Sequence, residues 1–292
     1  MPRAAFIAAG LMAAAASAAA QRVPATDIFL APLSVQNGRP VIGTPVNITN
    51  RRGYDNQPSF TPDNRTLLFT SIHDDGQSDI YRYDLSSRQI TRVTATPESE
   101  YSATVMPGGK RFSVVRVERD SVQRLWSFAL DGSDPRIVLE AVKPVGYHAW
   151  IDVDDLALFV LGNPNALVHA DVRTGRVDTL ARNIGRSLQP LPGGGGFSFV
   201  ARADSVSTVT AVRWPANSRR VVVTLPRGSE DIAWVTPDLL LTSSGSTLLY
   251  WHAGATGLST AADLSAAGLA NVTRLAVSSD GRWLAIVAIP KP

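Results

Sequence analysis

The chain has 292 residues, 45% of them apolar and 18% charged, with a net charge of +3 and no cysteine. These values describe a folded globular protein and exclude a disulfide-stapled scaffold, a low-complexity chain and a lipoprotein anchored through a thiol. The arginines are scattered without a basic run, so the small positive excess excludes a nucleic-acid binder.

Residues 1–20 read as a targeting segment. Arg3 supplies a positive start, and residues 4–20 are almost entirely alanine with Phe6, Ile7, Leu11 and Met12. Ala18-Ala19-Ala20 offers small residues for cleavage before Gln21. An uncleaved anchor is the alternative, but a span takes about 20 strongly apolar residues and this stretch is only weakly apolar. The expected product is exported, periplasmic or secreted, and not membrane-spanning after cleavage. Residues 21–292 are expected to form one domain.

From residue 57 onward the pattern repeats. Strands are predicted at 57–61, 66–71, 79–85 and 89–94, separated by turns such as Pro62-Asp63-Asn64 and Ser86-Ser87. A second set falls at 111–117, 124–130 and 136–139, with Asp131-Gly132 as a hairpin turn. Later sets follow Trp150, then Gly193-Gly194-Gly195-Gly196, then Thr236-Pro237-Asp238, with the Ala-rich stretch 257–269 expected to be irregular or helical. Equivalent anchors fall at Phe60, Val105, Trp150, Pro190, Val235 and Val277. Their spacing of about 40–45 residues is the length of a four-stranded propeller blade. Trp150, Trp234 and Trp283 lie at or beside anchor strands and are expected to be mostly buried.

The sixth copy, 277–286, supplies only two strands. The missing pair lies at the other end. Asp27-Ile28-Phe29-Leu30-Ala31-Pro32-Leu33 aligns without gaps on Asp79-Ile80-Tyr81-Arg82-Tyr83-Asp84-Leu85, and Val46-Asn47-Ile48-Thr49 on Thr91-Arg92-Val93-Thr94. The predicted fold is therefore all-β: a six-bladed β-propeller of four-stranded antiparallel blades, its last blade closed by the N-terminal strands.

Ser59-Phe60-Thr61-Pro62-Asp63-Asn64, followed by Leu67-Leu68-Phe69 and Asp79-Ile80-Tyr81, resembles the WD40-like propeller repeat of the TolB family. Val277-Ser278-Ser279-Asp280-Gly281-Arg282 with Leu284-Ala285 is a second copy. The resemblance covers residues 26–290, and the Pro-Asp-Gly turn is degraded in the third, fourth and fifth blades. It implies an exported propeller that binds rather than reacts. TolB carries an α/β domain before its propeller, and peptidases with this propeller carry a hydrolase domain after it; this chain is expected to hold neither.

Candidate chemistry is sparse. No Gly-x-Ser-x-Gly elbow is present, and the four-glycine run lacks the Lys-Ser/Thr of a phosphate loop. His73, His148, His169 and His252 have no metal-ligand spacing, and no metal ligands or catalytic residues are assigned. The acidic turn His73-Asp74-Asp75-Gly76-Gln77-Ser78-Asp79 could take Ca²⁺ but lacks the spacing and bidentate Glu of a calcium loop. No cofactor is expected.

One constellation remains. Asp55, Glu100 and Glu230 each precede an anchor by the same interval, so repeat symmetry puts them on one face at the channel mouth. Tyr54, Tyr101, Tyr147, His148, Arg186 and Arg274 are expected in the same ring of loops. The candidate ligand- or partner-binding set is Asp55, Glu100, Tyr101, His148, Arg186, Glu230 and Arg274. A framework role for the three acids is the competing explanation. Two functions follow. One is a monomeric, non-catalytic binding protein of the bacterial envelope that engages a protein, a peptide or a small polar ligand. The other is a small propeller enzyme, a metal-dependent lactonase, hydrolase or lyase acting in the channel.

Overall fold

The computed structural model describes residues 25–73 and 76–290. The targeting segment and its cleavage site lie outside the described residues, as do Asp74 and Asp75 of the acidic turn. The described chain opens with β1 (Asp27–Gln36), β2 (Arg39–Ile42) and β3 (Val46–Asn47). The first blade is β4 (Tyr54–Phe60), β5 (Thr66–Ile72), β6 (Ser78–Asp84) and β7 (Ile90–Arg92). The second is β8 (Ser99–Val105), β9 (Arg111–Val117), β10 (Gln123–Ala129) and β11 (Arg136–Leu139). The third is β12 (Val145–Trp150), β13 (Asp155–Val160), β14 (Ala166–Asp171) and β15 (Val177–Arg182). The fourth is β16 (Ile184–Pro190), β17 (Gly196–Ala203), β18 (Val206–Arg213) and β19 (Ser218–Leu225). The fifth is β20 (Ile232–Thr236), β21 (Leu239–Ser244), β22 (Thr247–His252) and β23 (Ser259–Asp263), followed by β24 (Leu269–Val277) and β25 (Trp283–Pro290).

These strands form six antiparallel sheets, and the sixth joins the two ends of the described chain. β1 pairs β25 from Asp27↔Ala288 to Pro32↔Trp283. The gapless alignment of Asp27 on Asp79 reappears as geometry. Ile28 N–H donates to the Thr49 hydroxyl at 3.0 Å, and Ile80 N–H donates to the Thr94 hydroxyl at 2.9 Å. The outermost position of the closing blade is split: β3 pairs Phe29 and Leu30, while β2 folds back on Leu33–Gln36 as a hairpin extension.

Six apolar clusters fill the six interfaces between neighbouring blades. This explains why second strands such as Leu67-Leu68-Phe69 and Leu239-Leu240-Leu241 read as unbroken apolar runs. Each is covered on both faces by adjacent sheets, so alternation is lost. Trp150 and Trp234 are buried as expected. Trp283 is only half-buried, because it opens β25 at the turn end of the sheet and packs on the rim of its cluster. The stretch 257–269 holds a true outer strand, β23, paired to β22, and a short 3₁₀ turn at Ser265–Ala267. The fifth blade is therefore complete.

Candidate functional site

The innermost strands β4, β8, β12, β16 and β24, with Asp231 just before β20, line a central cavity of about 650 Å³. Each innermost strand, β20 included, breaks register against its neighbour. A bulge bends and twists the strand that carries it, which re-aims the side chains facing the axis. In the first two blades the extra residues are Gln57 and Ser102, with φ of 57° and 55°. The Gln57 Oε1 accepts both the Ser102 N–H at 2.9 Å and the Thr70 hydroxyl at 2.8 Å, tying one bulge to the next.

The expectation that the candidate residues sit in loops before the inner strands is corrected. Asp55, Glu100, Tyr101, His148, Arg186 and Arg274 all lie within strands. The bulge interrupts the two-residue alternation, so the strand extends further back than its apolar pattern shows.

Asp55 and Glu100 occupy equivalent positions, opposite Ser71 and Arg116, and both are fully buried away from the cavity. Asp55 Oδ1 accepts from the Ser71 hydroxyl and from Arg51, each at 2.6 Å, and Oδ2 has no partner. Glu100 Oε1 accepts from the Thr96 hydroxyl and faces Arg116 Nε at 3.4 Å, and Oε2 has no partner. Burial pushes both carboxyls up, Glu100 to about 7, against the opposing pull of these same hydrogen bonds and cations. Their surroundings are those of framework groups at blade junctions. The Asp55 backbone pairs directly with Thr26, next to the closing strand.

Glu230 is not the third member of that set. The residue opposite Leu239, and hence the true anchor, is Thr236 rather than Val235. Counting back from Thr236 reaches Asp231. The turn after Thr236 is shorter than the one after Phe60, which pairs Leu67, so an anchor placed by the Pro-Asp motif slips by one. Asp231 is buried and lines the cavity. Its Oδ2 accepts the Leu275 N–H at 2.6 Å, and Oδ1 lies 3.6 Å from Arg274 Nη1. Burial raises its pKa, opposed by Arg274 and the Leu275 amide. Glu230 instead contacts Arg202 and faces Arg186 Nε at 3.4 Å.

Tyr101, Tyr147 and Arg274 do share one level of the ring, opposite Val115, Phe159 and Val287. The Arg274 guanidinium lies 4.6 Å from the centre of the Tyr147 ring. Arg186 Nη2 donates to the Thr273 carbonyl at 3.3 Å. Tyr54 belongs to the same cluster: burial pushes its phenol up to about 12, with Arg274, Tyr147, Tyr101 and Arg186 all in electrostatic reach. His148 lines the cavity beside Tyr147, and its Nε2 shares a 2.7 Å hydrogen bond with the Ser113 hydroxyl. Burial holds its pKa down at about 4. Among the described residues, no group of three or more His, Asp and Glu converges on a point that could hold a metal.

The cavity is thus two-ended. Pro62 and Pro107 in turns and Pro190 at the end of β16 stand at one end with Phe60, Val105 and Val277 on the wall, and Tyr147, Arg186, Asp231 and Arg274 form the other end.

These features define a six-bladed propeller with a polar-floored central channel. No family model matches the sequence. The propeller is TolB-like in fold: a protein of Agrobacterium tumefaciens assigned to TolB superposes with a TM-score of 0.71 at 13% identity, over 90% of this chain and 98% of that one. TolB from Acinetobacter baumannii gives 0.51 at 23% identity, over 68% of this chain and 52% of that one. An oligogalacturonate lyase in complex with manganese gives 0.58 at 12% identity, over 84% and 80%. Identities at this level show the shared fold.

Proposed function

We propose that this chain is an exported, non-catalytic binding propeller of the bacterial envelope that holds a peptide or small polar ligand in its central channel. The observation that carries the reading is the floor of the channel, where Arg186 and Arg274 meet Tyr147 and Asp231 inside a cavity of about 650 Å³. A concave site of that size, apolar with a few convergent polar groups, suits a ligand of a few hundred daltons. The leader-like residues 1–20 support export, and the TolB-like fold supports a protein partner in the periplasm. The closed ring has no open junction between blades, which favours a monomer.

The test is affinity capture from envelope extract with the wild-type protein and with a Tyr147→Ala, Arg186→Ala double variant of unchanged melting behaviour. Loss of the captured species in the variant supports the channel. Equal capture places the binding surface elsewhere. Incubation with oligogalacturonate and Mn²⁺ provides the catalytic arm, and an unsaturated uronate product would replace the binding reading with a lyase.

A further inference from the structure

We propose that the channel floor is a carboxylate pocket, in which Arg186 and Arg274 hold the C-terminal carboxylate of an apolar peptide whose last residues lie along the channel wall. This rests on the reading of the channel as the binding site and names the chemistry it selects.

The first argument is charge. Arg186, Arg274 and Asp231 are the charged residues that line the cavity, an excess of one cation. His148 adds nothing at neutral pH, because burial keeps it uncharged. Field lines are focused in a cleft with low-dielectric walls, so a single uncompensated charge there acts strongly on a ligand.

The second argument is that neither guanidinium is fully engaged. A charge-assisted hydrogen bond runs about 2.7–2.9 Å. Arg274 reaches Asp231 only at 3.6 Å, and Asp231 Oδ2 is already committed to the Leu275 amide. Arg186 Nε stands 3.4 Å from Glu230 and has no hydrogen-bond partner, while Glu230 is shared with Arg202. Tyr147 holds the Arg274 guanidinium by its ring face and by one side-chain hydrogen bond, which positions the cation and leaves most of its five N–H donors over. Two arginines with spare donors at one end of a cavity match the two oxygens of a carboxylate.

The third argument concerns what is attached to that carboxylate. Phe60, Val105, Met106, Leu188 and Val277 give the wall apolar character. Between them the Ser102 hydroxyl has no hydrogen-bond partner. Ser59, Thr104 and Gln189 stand among the same apolar groups, and a wall of mixed character suits a peptide backbone better than a hydrocarbon tail.

The experiment uses a randomised library of apolar tetrapeptides, prepared once as free acids and once as C-terminal amides, passed over the immobilised protein and read by mass spectrometry. Free acids should be retained about tenfold over amides, equivalent to about 1.4 kcal/mol. Arg274→Gln should abolish that preference without lowering amide retention. Arg186→Gln, at a partly exposed side chain, should do the same and guards against a folding defect in the first variant. Equal retention of acids and amides overturns the carboxylate assignment and leaves the channel reading standing. Retention of neither overturns both. A preference that survives both substitutions removes the two arginines from the assignment. Octanoate displacing the peptides at equal concentration would replace the peptide by any apolar carboxylate.

Discussion

Trp150 in the third blade donates its indole N–H to the Ser113 hydroxyl in the second, at 2.9 Å. Trp234 in the fifth blade makes the same 2.9 Å bond to Ser198 in the fourth. The two latches differ in one respect: Ser113 also serves His148, and Ser198 does not.

Removing the two hydroxyls should therefore cost different amounts. Ser113→Ala strands both an indole N–H and an imidazole nitrogen in a buried site, whereas Ser198→Ala strands only the indole. Each buried polar group left unpaired costs about 1–3 kcal/mol, so Ser113→Ala is expected to be the worse by at least about 1 kcal/mol. Urea unfolding of the two variants measures this, and equal midpoints would contradict it.

Stability should depend on pH with two opposing slopes. Glu100 binds its proton more tightly in the folded state, at about 7 against an ordinary 4.5, so its contribution is full below pH 4.5 and lost as pH rises through 7. His148 does the reverse. Its folded value of about 4 lies below the ordinary 6.5, so stability is lost as pH falls from 6.5 through 4. Glu100→Gln should raise the melting temperature at pH 8, by the equivalent of about 2 kcal/mol, with little effect at pH 4. A variant no more stable than wild type at pH 8 would mean that Glu100 is comfortably ionised in the fold.

The turn glycine at 132 locks one blade to the next. A Cβ there would lie 1.9 Å from the Val93 carbonyl oxygen of the first blade, at a φ of +86°. Gly108 has a similar φ of +90° and open space around it. Gly108→Ala is expected to cost only about 1 kcal/mol, for the left-handed conformation. Gly132→Ala must also push two blades apart and should cost about 3 kcal/mol or more. Equal thermal shifts would show that the turn relaxes freely.

Deleting residues 26–50 should leave β25 with an open edge. The truncated protein is expected to aggregate or to lose its single cooperative melting transition, as judged by light scattering and calorimetry. A soluble product with the wild-type melting temperature would contradict the pairing of β1 with β25.

The ring was legible because its evidence is repetitive. Asp27-Ile28-Phe29-Leu30 and Asp79-Ile80-Tyr81-Arg82 carry the same instruction at distant places, and turn motifs punctuate the rest. The floor of the channel was legible only in part. Tyr101, Tyr147, Arg186 and Arg274 are expected in one ring of loops; Tyr147, Arg186 and Arg274 line the cavity together, and Tyr101 is outside its lining. Asp231 was missed for its neighbour Glu230, since a motif cannot report that one turn is shorter than another. Adjacent acids at 230 and 231 were the available warning. Asp55 and Glu100 followed the repeat faithfully, yet repetition cannot say which face of a bulged strand a side chain takes. Bulges at Gln57 and Ser102 leave no compositional trace: neither is a glycine, although both adopt positive φ.

The pairing of β1 with β25 also sets a timetable. Asp27 and Ala288 are partners, so the first described strand must wait for the last to be synthesised before its sheet is complete. Until then β1 has no partner on that side, and the other blades form an open arc. Contacts so remote along a chain form slowly, because the loop between them must be ordered first. A ring that cannot close until its last strand is made stays an open arc throughout synthesis, so the central cavity exists only once the two ends of the described chain have met.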